Sequence, residues 1–286
     1  MNIVLTGAGS GLGSLLLTQI LENPDVETVW CGVHRRSPSI NDKRVRTFSF
    51  DLGSPKLDGI EGSIDRVVHV AGLTHTNDES EYHRINTQGT EMLAQEALSR
   101  GIRDFVYVSS RCAVADAGAY GVSKLKAEEA LAALDWHSLV LLRPAEVYGL
   151  KSSEGIDRLI AVAERFRIVP LLFGHRGIRF SPLHEEDFLE ACSYWIGSGA
   201  SGNQAVELCG PEDLDGFTVA TRIARKIGAI PVPIWLPALQ AAAAVLRCVG
   251  ISLVASDQFS RLLSAKTSIK STAFPNGWVP KRRFFS

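Results

Sequence analysis

Asn2-Ile-Val-Leu-Thr6 followed by Gly7-Ala-Gly-Ser-Gly-Leu-Gly13 and then Ser14-Leu-Leu-Leu-Thr-Gln-Ile-Leu21 decides how this chain is read. A short apolar run enters a glycine-rich turn and leaves it as a helix. In that context the glycines carry a phosphate-binding meaning. Gly7 permits the tight turn, Gly11 lets backbone approach a pyrophosphate, and Gly13 allows the helix to pack closely on the sheet. The phosphates would rest on free amides at the positive end of the helix, so Gly9, Ser10 and Leu12 join the three glycines as candidate cofactor contacts.

Working outward, the second strand, Thr28-Val-Trp-Cys-Gly-Val33, ends in His34-Arg-Arg36, where an NAD site usually holds an acid. A carboxylate there accepts from ribose hydroxyls, whereas Arg35 and Arg36 suit the extra phosphate of NADP. NADP is therefore favoured over NAD. Asp65-Arg-Val-Val-His-Val-Ala-Gly72 reads as a buried strand running into small residues, and Phe105-Val-Tyr-Val-Ser-Ser110 as another with hydroxyls at its carboxyl end. Asn86 to Leu98 is an amphipathic helix closed by Arg100-Gly101. Strands alternating with helices predict an α/β fold, a Rossmann-like doubly wound parallel sheet.

Tyr120 and Lys124 lie four residues apart on the next predicted helix and so share a face. A phenol is a poor proton donor or acceptor near neutrality, and a neighbouring cation favours its ionised form. That makes Tyr120 a candidate for proton transfer to a carbonyl or hydroxyl.

The bulk properties narrow the partner. The chain has 286 residues, 45% of them hydrophobic and 21% charged, with a net charge of −1. It offers no basic field for nucleic acid, which leaves a small molecule as partner. Five scattered cysteines without a Cys-x-x-Cys pair argue against a disulfide framework or a zinc site and fit a reducing cytoplasm. No metal-ligand spacing joins His75, His175 and His184. The amino terminus does not read as a secretory signal. The nearly uncharged stretch 238–249 is too short to span a bilayer and reads as a buried or partner-facing helix. Lys281-Arg-Arg283 is expected to be a solvated tail.

The order glycine turn, Asp51-Leu52, His69-Val-Ala-Gly72, Asn86-x-x-Gly-Thr90, Tyr107-Val-Ser-Ser110, Tyr120-x-x-x-Lys124 and Arg143-Pro-Ala-Glu-Val-Tyr-Gly149 resembles the short-chain dehydrogenase/reductase superfamily. More narrowly it is similar to the extended epimerase/dehydratase branch that acts on nucleotide sugars, and Arg179-Phe-Ser-Pro-Leu-His-Glu-Glu-Asp187 extends the likeness. The resemblance implies that Ser110 orients the reacting oxygen, Tyr120 transfers its proton, and Lys124 holds the ribose and lowers the tyrosine's pKa. It also implies that Asp51 and Leu52 meet the adenine, that Ala71 and Gly72 line the nucleotide, and that Pro144 and Val147 flank the nicotinamide. Thr74, His75, Glu146 and Arg179 become candidate substrate contacts, Arg179 for a phosphate. The implied division is a dinucleotide domain over 1–149, joined by part of 170–190, and a smaller substrate lobe mainly over 150–286.

Three departures shape the expected activity. The turn has Ser10 where the extended branch usually has glycine. Only nine residues separate Ser110 from Tyr120, which shortens the rim of the pocket. Arg111 and Cys112 stand where dehydratases of the branch carry an acid pair, which argues against water elimination. The expectation is keto-sugar reduction or epimerisation. A reductase of small non-nucleotide ketones or aldehydes is the second reading, and an NADP-sensing regulator without turnover the third. A homodimer stays open.

Overall fold

The computed structural model describes residues 1–150, 155–173, 178–199, 201–241, 256–264, 266, 268 and 270–286. The stretch expected as an apolar helix over 238–249 lies mostly outside the described residues.

Seven parallel strands form the central sheet: β1 (Asn2–Thr6), β2 (Thr28–Val33), β3 (Val45–Ser49), β4 (Arg66–His69), β5 (Asp104–Val108), β6 (Ser138–Pro144) and β11 (Gly202–Leu208). Their spatial order is β11-β6-β5-β4-β1-β2-β3. Winding therefore reverses between β1 and β4, and at such a reversal the loops diverge to leave a crevice for ligand. Ile3, Val4 and Leu5 of β1 and Phe105, Val106 and Tyr107 of β5 are fully or almost fully buried. Strands covered on both faces need such continuous apolar runs.

Helices α1 (Gly11–Leu21) and α6 (Glu185–Gly197) cover one face. Helices α3 (Thr90–Ser99) and α4 (Gly118–Ala132) cover the other. Ahead of α3 lie a short helix, α2 (Glu79–Tyr82), and a wider π-helical turn over His83–Gly89, so the helix expected from Asn86 begins earlier. Gly89 lies against the turn after β3, where a β-carbon would fall 2.2 Å from the Leu52 carbonyl oxygen. Gly101, at φ +78°, ends the helix as its left-handed residue.

After β6 the chain leaves the sheet through β7 (Val147–Tyr148), α5 (Gly155–Phe166), β8 (Ile168–Phe173), β9 (Arg179–Phe180) and β10 (Leu183–His184). It returns as α6 and β11, and β11 keeps register with β6 from Gly202 opposite Ser138 to Leu208 opposite Pro144. It leaves again through β12 (Leu214–Asp215), α7 (Gly216–Ile227), β13 (Ile230–Trp235) and α8 (Ser256–Leu263). A second core forms there from Tyr148, Ile156, Val169, Val219, Ile223 and Phe284. The lobe is thus assembled from several excursions of the chain.

The carboxyl terminus corrects one expectation. Lys281-Arg-Arg283 is not a solvated tail: the Lys281 and Arg282 amides donate to Asp187 Oδ2 at 3.0 and 2.9 Å, and the Arg282 guanidinium pairs with Asp187, Glu186 and Glu190. Asp187 is completely buried, so its charge requires these partners. Two residues on, Phe284 packs into the lobe against Tyr148.

Candidate active site

The glycine turn is built by close backbone approach. Gly7 adopts φ +81°, and a β-carbon there would lie 2.7 Å from the Ala71 nitrogen, so the turns after β1 and β4 are in contact. At Gly13 it would lie 2.0 Å from the Gly7 carbonyl oxygen, and at Gly9 2.2 Å from that of Arg36. Gly11 differs: a β-carbon there would meet no described atom within 4 Å. Ser10 caps α1, accepting from the Gly13 amide at 3.1 Å and donating to the Gly7 carbonyl at 2.8 Å. The serine closes the turn from within, and the first-turn amides of Gly11 and Leu12 keep no intrahelical partner. These residues fit a pyrophosphate.

His34, Arg35 and Arg36 are exposed where β2 ends, and no acidic residue stands among them. Asp51 is exposed beyond β3, its Oδ1 accepting from the Gly53 amide at 2.9 Å, while Leu52 is buried. Gly72 is exposed at the end of β4. Pro144 ends β6, and Val147 opens β7 opposite Leu183.

Tyr120 and Lys124 stand one turn apart on α4. Lys124 is almost wholly buried, donates to the Val108 carbonyl at 2.9 Å and lies 4.3 Å over the Tyr107 ring. Burial lowers its pKa to about 7, against the opposing pull of Glu128 one turn further along. Its amine sits beside the end of β4, 3.8 Å from where a Gly72 β-carbon would be. Ser110 follows β5, and its Oγ accepts from the Cys112 amide at 3.1 Å. The shortened link to α4 is made of tight turns, Ala113 to Ser110 at 2.9 Å and Ala117 to Val114 at 3.3 Å.

Beneath the site lies a neutral polar stack. His69 bridges Thr6 Oγ1 at 2.6 Å and Thr90 Oγ1 at 3.0 Å, and stacks on Tyr107 with ring centres 5.4 Å apart. Burial, with a smaller contribution from Lys124, lowers its pKa to about 3, so the ring is neutral.

Several partners of the site were not picked out from sequence. Asn86 accepts from the Leu73 amide at 2.7 Å, and its Nδ2 donates to the Leu73 carbonyl and to Ser123 Oγ, fastening the β4 loop to α4. Its place at the head of the Asn86-x-x-Gly-Thr90 motif is the signal that could have marked it. Arg261 of α8 lies 4.4 Å over the Tyr120 ring and donates to the Thr74 carbonyl at 3.1 Å. No sequence signal links Arg261 to Tyr120.

The four substrate candidates are not equivalent. Thr74 and His75 follow the β4 end. Glu146 instead receives the Arg111 guanidinium on both oxygens, at 2.8 and 2.7 Å, and the Ser181 amide at 3.2 Å. Arg111 is 1% exposed, so this carboxylate is the counter-ion of a buried cation. Arg179 pairs with Asp213, with its Nε 3.1 Å from Oδ1. Both residues therefore have protein partners that their place in the sequence does not reveal. Among the described residues no cluster of His, Cys, Asp and Glu could hold a metal ion, and no helix is long and apolar enough to cross a membrane.

Fold and site together define a dinucleotide-binding α/β protein with a Tyr-x-x-x-Lys pair beside its switch point. The chain belongs to the NAD dependent epimerase/dehydratase family, whose sequence model matches residues 3–209. Its relatives there are enzymes: epimerases, dehydratases and reductases. It is 30% identical over 190 residues to the ceramide reductase of Caulobacter vibrioides, covering 65% of this chain and 57% of the relative. It is 27% identical over 202 residues to the UDP-glucose 4-epimerase of Vibrio cholerae, covering 59% and 60%. The matches thus span less than two thirds of these relatives. The fold is similar to that of MoeE5 in complex with UDP-glucuronic acid and NAD, at TM-score 0.71 and 24% identity over 82% of this chain and 85% of that one. It is also similar to WbmG of Bordetella bronchiseptica in complex with NAD, at TM-score 0.68 and 17% identity over 100% and 90%.

Proposed function

We propose that the chain is an NAD(P)-dependent oxidoreductase or epimerase that exchanges a hydride with a hydroxyl- or keto-bearing carbon of a nucleotide-linked sugar. The observation that carries this reading is Lys124, buried below the Tyr120 turn and held by the Val108 carbonyl beside Gly72. A lysine is buried at such desolvation cost where its charge and hydrogen bonds serve a site. Bound along the glycine turn, the nicotinamide dinucleotide would supply or accept the hydride.

The chain's own residues would do the rest. In the reducing direction Tyr120 gives its phenolic proton to the carbonyl oxygen as that oxygen gains charge, and Ser110 Oγ donates a hydrogen bond to the same oxygen. Lys124 holds the ribose and stabilises the phenolate that remains. Arg35 and Arg36, exposed where β2 ends and with no acid directly beside them in sequence, favour NADP, and with it net reduction over epimerisation with a retained cofactor.

A second reading has a specific observation behind it. Arg179, the candidate for a substrate phosphate, is engaged by Asp213, and one relative is by name a ceramide reductase rather than a nucleotide-sugar enzyme. A ketone reductase for non-nucleotide substrates would also suit the short link between Ser110 and Tyr120. The regulator reading predicts a damaged triad, and all three residues are present.

Titration calorimetry with UDP, GDP and dTDP separates the first two readings. Binding of any one supports the nucleotide sugar, and binding of none supports the ketone reductase. On a substrate found by screening, Tyr120→Phe is expected to lower turnover by about 10²–10⁴-fold, the usual size of general acid–base catalysis, with NADP affinity unchanged. Near-full turnover by this variant would overturn the mechanism.

A further inference from the structure

We infer that the outer face of the β8/β13 ribbon is a docking surface for a bilayer that carries anionic lipid.

The two strands run parallel in register from Ile168 opposite Ile230 to Phe173 opposite Trp235. Side chains alternate between the faces of a strand. Val169 is completely buried and, with Leu171, packs into the lobe core below α5 and α7. The opposite face therefore presents Ile168, Pro170 and Leu172 from β8 and Ile230, Val232 and Ile234 from β13. All six are apolar; Ile168, Ile230 and Val232 are exposed, and Pro170, Leu172 and Ile234 are half-buried. Ile168 is 40% exposed, Ile230 68% and Val232 37%. A strand with one solvated face ordinarily alternates apolar with polar residues, and here the alternation is missing. A contiguous exposed apolar patch marks an interaction surface.

Two features select its occupant. The first is the free edge of β13. The Ile230 amide donates to the Arg167 carbonyl, so it points towards β8, and the alternate positions 231 and 233 point outward. Both are proline and have no N–H to offer, which blocks extension of the ribbon by a strand from a second copy. The second is charge. Arg165 and Arg167 flank Phe166, which is 59% exposed, at the end of α5, and Arg225 and Lys226 are exposed in the last turn of α7. Arg167 Nη1 donates to the Ile227 carbonyl at 2.6 Å, bringing the two helix ends together beside Ile168 and Ile230. Against these four cations the same rim has one exposed acid, Glu164, in a chain whose net charge is −1. An apolar face bordered by cations and an aromatic ring matches an anionic interface, apolar residues in the acyl boundary and basic ones among the headgroups.

Flotation of the full chain with vesicles tests this inference. Recovery with equimolar phosphatidylcholine and phosphatidylglycerol is expected to exceed that with phosphatidylcholine alone by about tenfold, and to fall at about 1 M salt, where the screening length is about 3 Å. Arg165→Glu with Lys226→Glu alters only exposed side chains and should abolish the anionic preference. Ile230→Ser with Val232→Ser should abolish recovery altogether while NADP binding, which reports a folded sheet, is kept. Equal recovery with both vesicles, or with neither, would overturn the inference. So would a dimer in light scattering that the Ile230→Ser, Val232→Ser variant turns into a monomer, because a second copy would then be what covers the face.

Discussion

The sheet side of the site and the lobe side are held by different physics. On the sheet side the contacts are backbone against backbone, Gly7 on Ala71, Gly9 on Arg36 and Gly13 on Gly7, over a neutral His69 bridged by two threonines. Where later excursions of the chain meet the sheet they are charge against charge, Arg111 on Glu146, Arg179 on Asp213 and Arg282 on Asp187. Backbone contacts cannot relax without moving a strand or helix, whereas an ion pair can be exchanged for water or ligand at modest cost when it is exposed. The sheet side is therefore held rigidly, and of the three ion pairs only the exposed Arg179–Asp213 pair is cheap to exchange, because Arg111 and Asp187 are buried.

The sharpest way to break this contrast is at the glycine turn. Gly13→Ala places a β-carbon on the Gly7 carbonyl, so stability should drop by on the order of 3 kcal/mol in denaturant titration, with dinucleotide binding lost as the turn shifts. Gly11→Ala should leave stability unchanged or slightly raised, since alanine is the better helix former and the space beside it is open. It should nonetheless weaken dinucleotide binding, because the new methyl lies where phosphate would approach. Equal stability of the two variants would mean that backbone contact does not hold this half together.

A smaller effect is expected from Arg282→Ala. Asp187 is completely buried but keeps the amides of Lys281 and Arg282, so the loss should be about 2 kcal/mol, less than for stripping a buried charge of every partner. The same variant should increase protease cleavage near the terminus. A change within experimental scatter would mean that the guanidinium adds nothing to the anchoring by the two amides and Phe284.

What could be read in advance follows the same division. The sheet, the glycine turn, the Gly101 helix end and the Tyr120–Lys124 pair rest on local rules: periodicity, left-handed glycines, spacing along one helix. The lobe's pairings join residues far apart in sequence, such as Arg111 with Glu146 or Arg282 with Asp187, and nothing local distinguishes an arginine that will find a carboxylate from one that will face solvent. That is why Lys281-Arg-Arg283 reads as a tail although it is a clasp. Arg261 over Tyr120 was hidden for the same reason, while Asn86 carried a local signal as the head of the Asn86-x-x-Gly-Thr90 motif.

The smallest effect should come at Arg179, where the contrast can be sharpened most finely. Its pair with Asp213 is partly exposed, 46% and 24% for the two side chains, and such pairs contribute about 0–1 kcal/mol. Arg179→Ala should therefore leave stability within that range. If the arginine serves the lobe's architecture alone, KM for the screened substrate should also stay within about twofold, and Asp213→Asn should behave like Arg179→Ala. If instead Arg179 is shared between Asp213 and a substrate phosphate, the two variants part in opposite directions. Removing the guanidinium raises KM about tenfold, the size of one charge-assisted hydrogen bond, and removing the competing carboxylate lowers it. The pairing on both sides of the Asp213 carboxylate favours the first outcome, and a split in sign would show that the lobe's exposed ion pairs are exchanged for ligand during turnover.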